Sequence, residues 1–267
     1  MRTLLFLLLF VAFPANAAPS LLFNESLLSS VGDATQLQYN GNVVSGGSSP
    51  SGSVGFIELD GLTGTRFTMH STDTPTATGI RAETTWNTAA IGNETWTSWQ
   101  MMVKQSEWTV NSTSIMVGQM HTADAIVAAN PYTFTIQNSQ FSFNVPLSDP
   151  PTVSGSANVI PIGQLIYGHW YSITVHILFE NNDTGFVEAF VDGVPIYRIW
   201  SRGTCYNSDA PYWKLGIYDA QHLNAFGSQL SVWFKNLVIY SGSGGTYHAM
   251  LGTEPQPWPS QLVLYPR

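Results

Sequence analysis

The sequence predicts an all-β fold, a single sandwich of the jelly-roll type with one concave sheet for substrate, and three observations carry that expectation. Runs rich in aromatic and β-branched residues recur along the chain, with Gly, Ser, Asn and Pro clusters between them. Several of these runs alternate with a period of two, while no useful window shows the 3.6-residue repeat of a helix. No Pro/Ser-rich linker divides the 267 residues, a length suited to one large β domain.

Taken in order, the strand windows are Phe56–Leu59, Arg66–His70, Arg81–Trp86, Thr95–Val103, Ser114–Met120, Tyr132–Ile136, Phe141–Val145, Trp170–Phe179, Phe186–Val191, Tyr212–Tyr218 and Ser231–Tyr240. Tyr132-Thr133-Phe134-Thr135-Ile136 and Phe141-Ser142-Phe143-Asn144-Val145 alternate cleanly, the pattern of a strand with one buried face. Asp192-Gly193 between apolar runs predicts a tight hairpin, because both residues tolerate positive φ. Residues 41–55 read as a Gly/Ser-rich loop, and the tail from Gly242 reads as irregular.

Before the domain, Met1-Arg2-Thr3, an apolar run from Leu4 to Phe13 and Pro14-Ala15-Asn16-Ala17 fit a secretory signal. The expected organisation is therefore a signal over residues 1–17 and one domain over 18–267, destined for the extracellular space. The apolar run is too short to span a bilayer, so no membrane association is expected. Sequons at Asn24, Asn93, Asn111 and Asn182 are candidate glycosylation sites in such a protein. Cys205 is alone, so no internal disulfide is available, and an inert buried thiol is expected. Nine Lys+Arg against seventeen Asp+Glu give a net charge of -8 with no basic run, which disfavours nucleic acid as a partner.

On a sandwich, chemistry falls to polar residues that alternate with core residues on one sheet. Arg81 and Glu83 share a face around Ala82, Gln119 and His121 share one around Met120, and Tyr212, Lys214 and Tyr218 share one opposite Trp213, Leu215 and Ile217. Taken singly, each is commonplace on a strand: an exposed ion pair, a surface histidine, a solvated lysine.

Their order is more specific. Arg81-Ala82-Glu83, then Gln119-Met120-His121, then Tyr212-Trp213-Lys214-Leu215-Gly216-Ile217-Tyr218 resembles the three signature strands of the jelly-roll polysaccharide lyases, the group that contains alginate lyases, glucuronan lyases and the heparin lyase I type. The similarity runs from about Phe56 to Tyr240, and the Asp192-Gly193 hairpin looks more like the glucuronan and heparin lyase I branches. Thr84, Leu215 and Asp219 depart from the residues alginate lyases often carry.

That resemblance implies β-elimination on a uronate polymer, and the chemistry accounts for the residue types. The C5 proton of a uronate is weakly acidic because the carbanion forms beside a carboxylate, so that carboxylate has first to be neutralised. Arg81 and Gln119 suit this task. A base and an acid are then needed, for which His121 and Tyr218 are the candidates, with Tyr218 able to hold both roles if cationic neighbours lower its pKa. Lys214 is expected to hold a neighbouring carboxylate or to depress the tyrosine. His70, Glu83 and Tyr212 complete the expected substrate contacts.

No cofactor is expected. Asp/Asn-rich loops leave structural Ca²⁺ open, yet none has the ligand spacing of a defined calcium loop, and no metal ligands are assigned. The expected partner is an anionic polysaccharide, bound by a monomer. Two rival readings stand beside this one. A non-catalytic lectin-like sandwich would need no acid or base, and a glycoside hydrolase would need two carboxylates flanking the bond. The chain has no Glu-x-Asp-x-Glu run, so Glu83 would need a distant partner.

Overall fold

A computed structural model describes residues 20–25, 36–39, 42–44, 54–59, 62–73, 80–87, 92–109, 113–121, 132–147, 157–205, 211–220 and 229–242. Among them sixteen strands form two antiparallel sheets, and the one helical piece is a 3-10 turn at Gln105–Glu107. The signal segment of the sequence analysis lies outside the described residues.

The first sheet runs in the order β14 (Val194–Trp200), β13 (Phe186–Val191), β12 (Tyr171–Leu178), β7 (Glu94–Met102), β16 (Gln229–Ser241), β5 (Leu62–His70) and β4 (Val54–Leu59), with β1 (Ser20–Glu25) paired to β16. The second runs β11 (Ala157–Gln164), β10 (Gln140–Pro146), β9 (Tyr132–Gln137), β8 (Ile115–His121), β15 (Tyr212–Asp219), β6 (Ile80–Asn87), β2 (Gln36–Tyr39) and β3 (Asn42–Val44). Every predicted strand window falls on a strand. The Asp192-Gly193 turn has φ of 51° and 76°, the left-handed pair that matches the twist of a two-residue hairpin. Strand β11, by contrast, was not legible. It is an edge strand carrying Pro161, with Val159 turned out to solvent, so neither its composition nor its alternation marks it.

Aromatic side chains from the facing sheets meet between them. Trp99 of the first sheet and Trp213 of the second lie 5.2 Å apart by ring centroid, and Phe134 packs edge-on against Trp99 and, tilted, against Phe143 beyond it. Trp99, Trp213 and Phe134 are all fully buried. At roughly 25 cal/mol per Å² of apolar surface, these large side chains dominate what holds the layers together. Cys205 is buried as well, and burial beside Glu180 pushes its thiol up to about 11, which leaves it unreactive.

On the outer face of the first sheet, His176 places Nε2 2.7 Å from Glu94 and Nδ1 2.9 Å from Glu188, whose other oxygen accepts from Arg198 Nε at 2.6 Å. Trp96 stacks on the same imidazole. This histidine is committed to holding strands β7, β12 and β13 together, away from the sheet that carries the signature motifs.

Strand β15 passes its neighbours with little clearance. Against β8, the pairing jumps from Leu215 with Gly118 to Tyr218 with Met116, an extra residue on β15 that marks a bulge. Gly216 sits there with φ of 147°, and a Cβ on it would lie 2.2 Å from the Ala82 carbonyl oxygen. Only glycine satisfies both conditions. Gly216→Ala is expected to cost roughly 2–4 kcal/mol in urea unfolding. Wild-type stability in that variant would show that β15 and β6 are not so closely apposed.

Candidate active site

Directly opposed residues of an antiparallel pair point to the same side of the sheet, so the registers define the site. Strand β15 opposes Lys214 to Gln119, Tyr212 to His121 and Tyr218 to Met116 on β8, and opposes Tyr218 to Arg81 and Gly216 to Glu83 on β6. Gln119 in turn opposes Thr133, which opposes Asn144. Arg81, Glu83, Gln119, His121, Tyr212, Lys214 and Tyr218 therefore share the face of the second sheet that points away from the core. The opposite face holds Ala82, Met120, Trp213, Leu215 and Ile217, all fully buried. His70 stands apart: it ends β5 in the other sheet, opposite Gln229, with its backbone N–H donating to Asp73 Oδ2. The odd-even pattern that placed it on a strand could not say which sheet that strand would join.

The centre of the site is recessed, and Arg81, Glu83, Gln119 and Lys214 are each less than a tenth exposed. Glu83 organises it. The Gln119 amide donates to Glu83 Oε1, and Arg81 Nη1 lies 3.6 Å from Glu83 Oε2. Burial pushes the Glu83 carboxyl above its ordinary range, opposed by Lys214, Arg81 and the Gln119 hydrogen bond. Burial likewise lowers Lys214, against the pull of Glu83 in the other direction. Glu83 was expected to contact substrate; at 2% exposure it lies instead beneath the surface as the counter-ion of two cations.

The Arg81 guanidinium lies over the Tyr218 ring, 4.2 Å from its centroid. Burial raises the Tyr218 phenol above its ordinary value of 10.0, while the charge of Arg81 and a hydrogen bond from it pull the other way. On the sequence, a lowered tyrosine pKa is the condition for Tyr218 to hold both roles; here desolvation outweighs the neighbouring cation, and that cation is Arg81. Lys214 leans instead toward Tyr212, 5.9 Å from that ring.

Tyr212 Oη lies 2.8 Å from His121 Nδ1, and the two rings stack. One imidazole nitrogen is therefore engaged by a phenol raised above its ordinary value by burial and by Glu83. The bond fixes the plane of the ring. Thr133, Thr135, Ser142 and Asn144 continue the polar face across β9 and β10, with Asn144 Nδ2 donating to both threonine hydroxyls. None of these was singled out from the sequence, although the alternation Thr-x-Thr and Ser-x-Asn between phenylalanines carried the signal.

No group of three or more His, Cys, Asp or Glu suited to a metal ion occurs among the described residues. What the face offers is a guanidinium and an amide for a carboxylate, with a phenol and an imidazole nearby for proton transfer.

This arrangement defines a carbohydrate-active sandwich. The polysaccharide lyase family model matches residues 35–238, and the chain belongs to that family, enzymes that act on polysaccharides as lyases. Among solved structures, the endo-β-1,4-glucuronan lyase of the fungus Trichoderma reesei is similar over 87% of this chain and 98% of its own, with 16% identity and a TM-score of 0.63. A family 7 alginate lyase, A1-II', in complex with substrate covers 80% of this chain and 94% of its own at 18% identity and a TM-score of 0.57. The alginate lyase PA1167 of Pseudomonas aeruginosa covers 77% and 97% at 15% identity and a TM-score of 0.54. No curated protein matches the chain.

Removing the buried counter-ion tests the electrostatic reading of the site. Glu83→Ala removes the carboxylate that faces two buried cations and is expected to cost about 3 kcal/mol, with a loss of turnover exceeding about tenfold. Glu83→Gln, which keeps the shape, is expected to fall between it and wild type. If the alanine variant unfolds in urea as wild type does, Glu83 is not the organising charge.

Proposed function

We propose that this lyase cleaves a uronate-containing polysaccharide by β-elimination, with β-1,4-glucuronan and alginate as the polymers of that kind the resemblance names. The observation that carries the reading is the register of β6, β8 and β15, which gathers Arg81, Gln119, His121 and Tyr218 on one recessed face. In this reading Arg81 and the second amide hydrogen of Gln119 take the substrate carboxylate and stabilise the enolate-like dianion more than the ground state. The solved alginate lyase complex with substrate carries a histidine replaced by asparagine and a tyrosine by phenylalanine, the residue types of His121 and Tyr218.

Tyr218 is the base and acid of the proposal, and His121 orients the sugar. In glucuronate or mannuronate the C5 hydrogen and O4 lie on the same side, so one phenolic oxygen takes the first proton and returns it to the second. The C5–H bond breaks, the C4–C5 double bond forms, and the C4–O4 bond cleaves with its electrons on O4. In guluronate the two groups lie on opposite sides, and His121 would have to be the base.

Two measurements separate these assignments. Tyr218→Phe keeps the ring and is expected to lose turnover by about 10³-fold or more, while His121→Ala loses less. Because the folded protein holds the Tyr218 proton to a higher pH than free tyrosine does, kcat/KM is expected to climb through neutral pH into the alkaline range. A kcat/KM already flat through the alkaline range would transfer the base role from Tyr218 to His121. The product distinguishes the rival classes: an unsaturated uronate absorbs in the ultraviolet, a hydrolase leaves only new reducing ends, and a lectin leaves the polymer intact.

Secretion and glycosylation form part of the same proposal, and the sequons differ in how the fold presents them. Asn182 is exposed, and its Oδ1 accepts from the Thr184 N–H at 2.8 Å and the Thr184 hydroxyl at 2.6 Å. Asn93 is exposed, but its sequon threonine, Thr95, is fully buried in β7. Asn24 and Asn111 have side chains outside the described residues. Expressed through a eukaryotic secretory pathway, the protein is expected to carry glycan at Asn182. Peptide mapping after enzymatic deglycosylation reads this directly, and an unmodified Asn182 in secreted protein would refute it.

A further inference from the structure

The supply of fixed positive charge on the binding face is small, and it can be counted. The chain has nine Lys+Arg. Arg66, Lys104, Arg198 and Lys235 belong to the first sheet or its margin, where Arg66 reaches Glu107, Lys104 and Lys235 lie over Trp233 and Trp170, and Arg198 reaches Glu188. Arg202, 7% exposed, donates to the Pro146 carbonyl. Arg2 and Arg267 lie outside the described residues. Arg81 and Lys214 remain, and the buried Glu83 cancels one of their two charges.

Beyond Gln119 the face is neutral. Thr133, Thr135, Ser142 and Asn144 line β9 and β10, and Val159 of β11, 62% exposed, opposes Asn144 at the rim. Both amide hydrogens of Asn144 are spent on Thr133 and Thr135. Gln119 Oε1, Asn144 Oδ1 and Thr85 Oγ1 are buried acceptors without a hydrogen-bond partner among the described residues. These oxygens are closed to solvent; what β9 and β10 present to a ligand is a row of neutral hydroxyl and amide groups, which can pair with sugar hydroxyls and offer no positive charge to a carboxylate or sulfate. From β15 to β10 the face spans three strand spacings, about 14 Å, which is room for more than one sugar beside the reacting one.

We infer that the site takes a single carboxylate, at the sugar that reacts, and holds uncharged sugar on the β9–β10 side. The substrate class is then a non-sulfated uronate polymer of low charge density, with uronate interspersed among neutral sugar, rather than a polymer charged at every unit. This rests on the lyase reading above: it keeps the uronate and the elimination, and places the preferred substrate away from the two fully charged polymers named there.

The test compares β-1,4-glucuronan with the same polymer after about half its carboxyls are reduced to primary alcohols, together with heparin as the sulfated case. Turnover is read as unsaturated-product absorbance per remaining uronate, and binding is read by calorimetry of oligosaccharides from each polymer on Tyr218→Phe. The half-reduced polymer is expected to give a kcat/KM per uronate at least about threefold above the homopolymer, and tighter binding, with neither seen for heparin. Val159→Lys, at an exposed position that tolerates the change, is expected to move the preference toward the homopolymer. A fall of about tenfold on the half-reduced polymer, or binding that weakens in step with its charge, overturns the inference. If neither these polymers nor alginate yields unsaturated product, the lyase reading fails, and the calorimetric comparison alone still decides whether the face prefers low charge density.

Discussion

The packing of Trp213 against Trp99 is the contact on which the site depends. A strand has only two faces, so seating Trp213, Leu215 and Ile217 in the core sends Tyr212, Lys214 and Tyr218 to the other side with no further instruction. A slip of one residue in β15 would bury a lysine among tryptophans and expose three large apolar side chains, a penalty of several kcal/mol. The same logic operates on β6 and β8, where Ala82 and Met120 are the inward residues. The hydrophobic core thereby fixes the geometry of groups it never touches. The bulge at Gly216 adjusts that parity locally, keeping Tyr218 in step with Arg81 while β15 moves out of step with β8.

Within that frame the electrostatics are frustrated. A carboxylate and two cations share a recess from which water is largely excluded, and burial pushes Glu83 and Lys214 each toward its neutral form. Such a cluster is weak evidence for stability, since apolar residues of the same shape would pack at less cost. In the proposed mechanism its value is preorganisation: Arg81 and Gln119 are held from below by Glu83, so little reorganisation would be needed for a substrate carboxylate arriving from above. The overall charge of -8 is compatible with this, because the field that matters is set by groups a few ångströms away and remote charge is screened over about 10 Å in salt.

How far the sequence reveals this arrangement follows from which interactions are local. Alternation is local, so the strands with one buried face, such as Tyr132–Gln137 and Gln140–Pro146, are legible, as is the Asp192-Gly193 turn. Motif order gives the shared face of Arg81, Gln119 and Tyr218, because neighbouring strands impose a common parity. Sheet membership is non-local, which is why His70 was grouped with residues of a sheet it does not join. Burial depth is non-local too, so Glu83 read as a surface contact when it is a counter-ion. The edge strand β11 escaped because an edge with Pro161 in it satisfies few of the pairing rules that composition reflects. Thr133 and Asn144 were overlooked for a different reason: neutral side chains raise no chemical expectation until their position beside Gln119 is known.

The high affinity of Tyr218 for its proton bears on how one phenol serves two steps. Burial lowers the fraction of phenolate at neutral pH, yet the phenolate that does form is a stronger base toward a weakly acidic C5–H, and the two effects partly offset. In the proposed mechanism Arg81 would tie them together. While the site is empty its charge favours phenolate; a substrate carboxylate engaging the guanidinium would withdraw part of that support and make the oxygen more basic, at the moment a C–H bond lies beside it. Once the proton had moved, the negative charge would lie on the enolate, next to Arg81 and Gln119, and the neutral tyrosine would be ready to protonate O4. The same guanidinium would thus follow the negative charge from phenolate to enolate without changing its place, which is how a cation stacked on the tyrosine ring and a carboxylate clamp can be one residue.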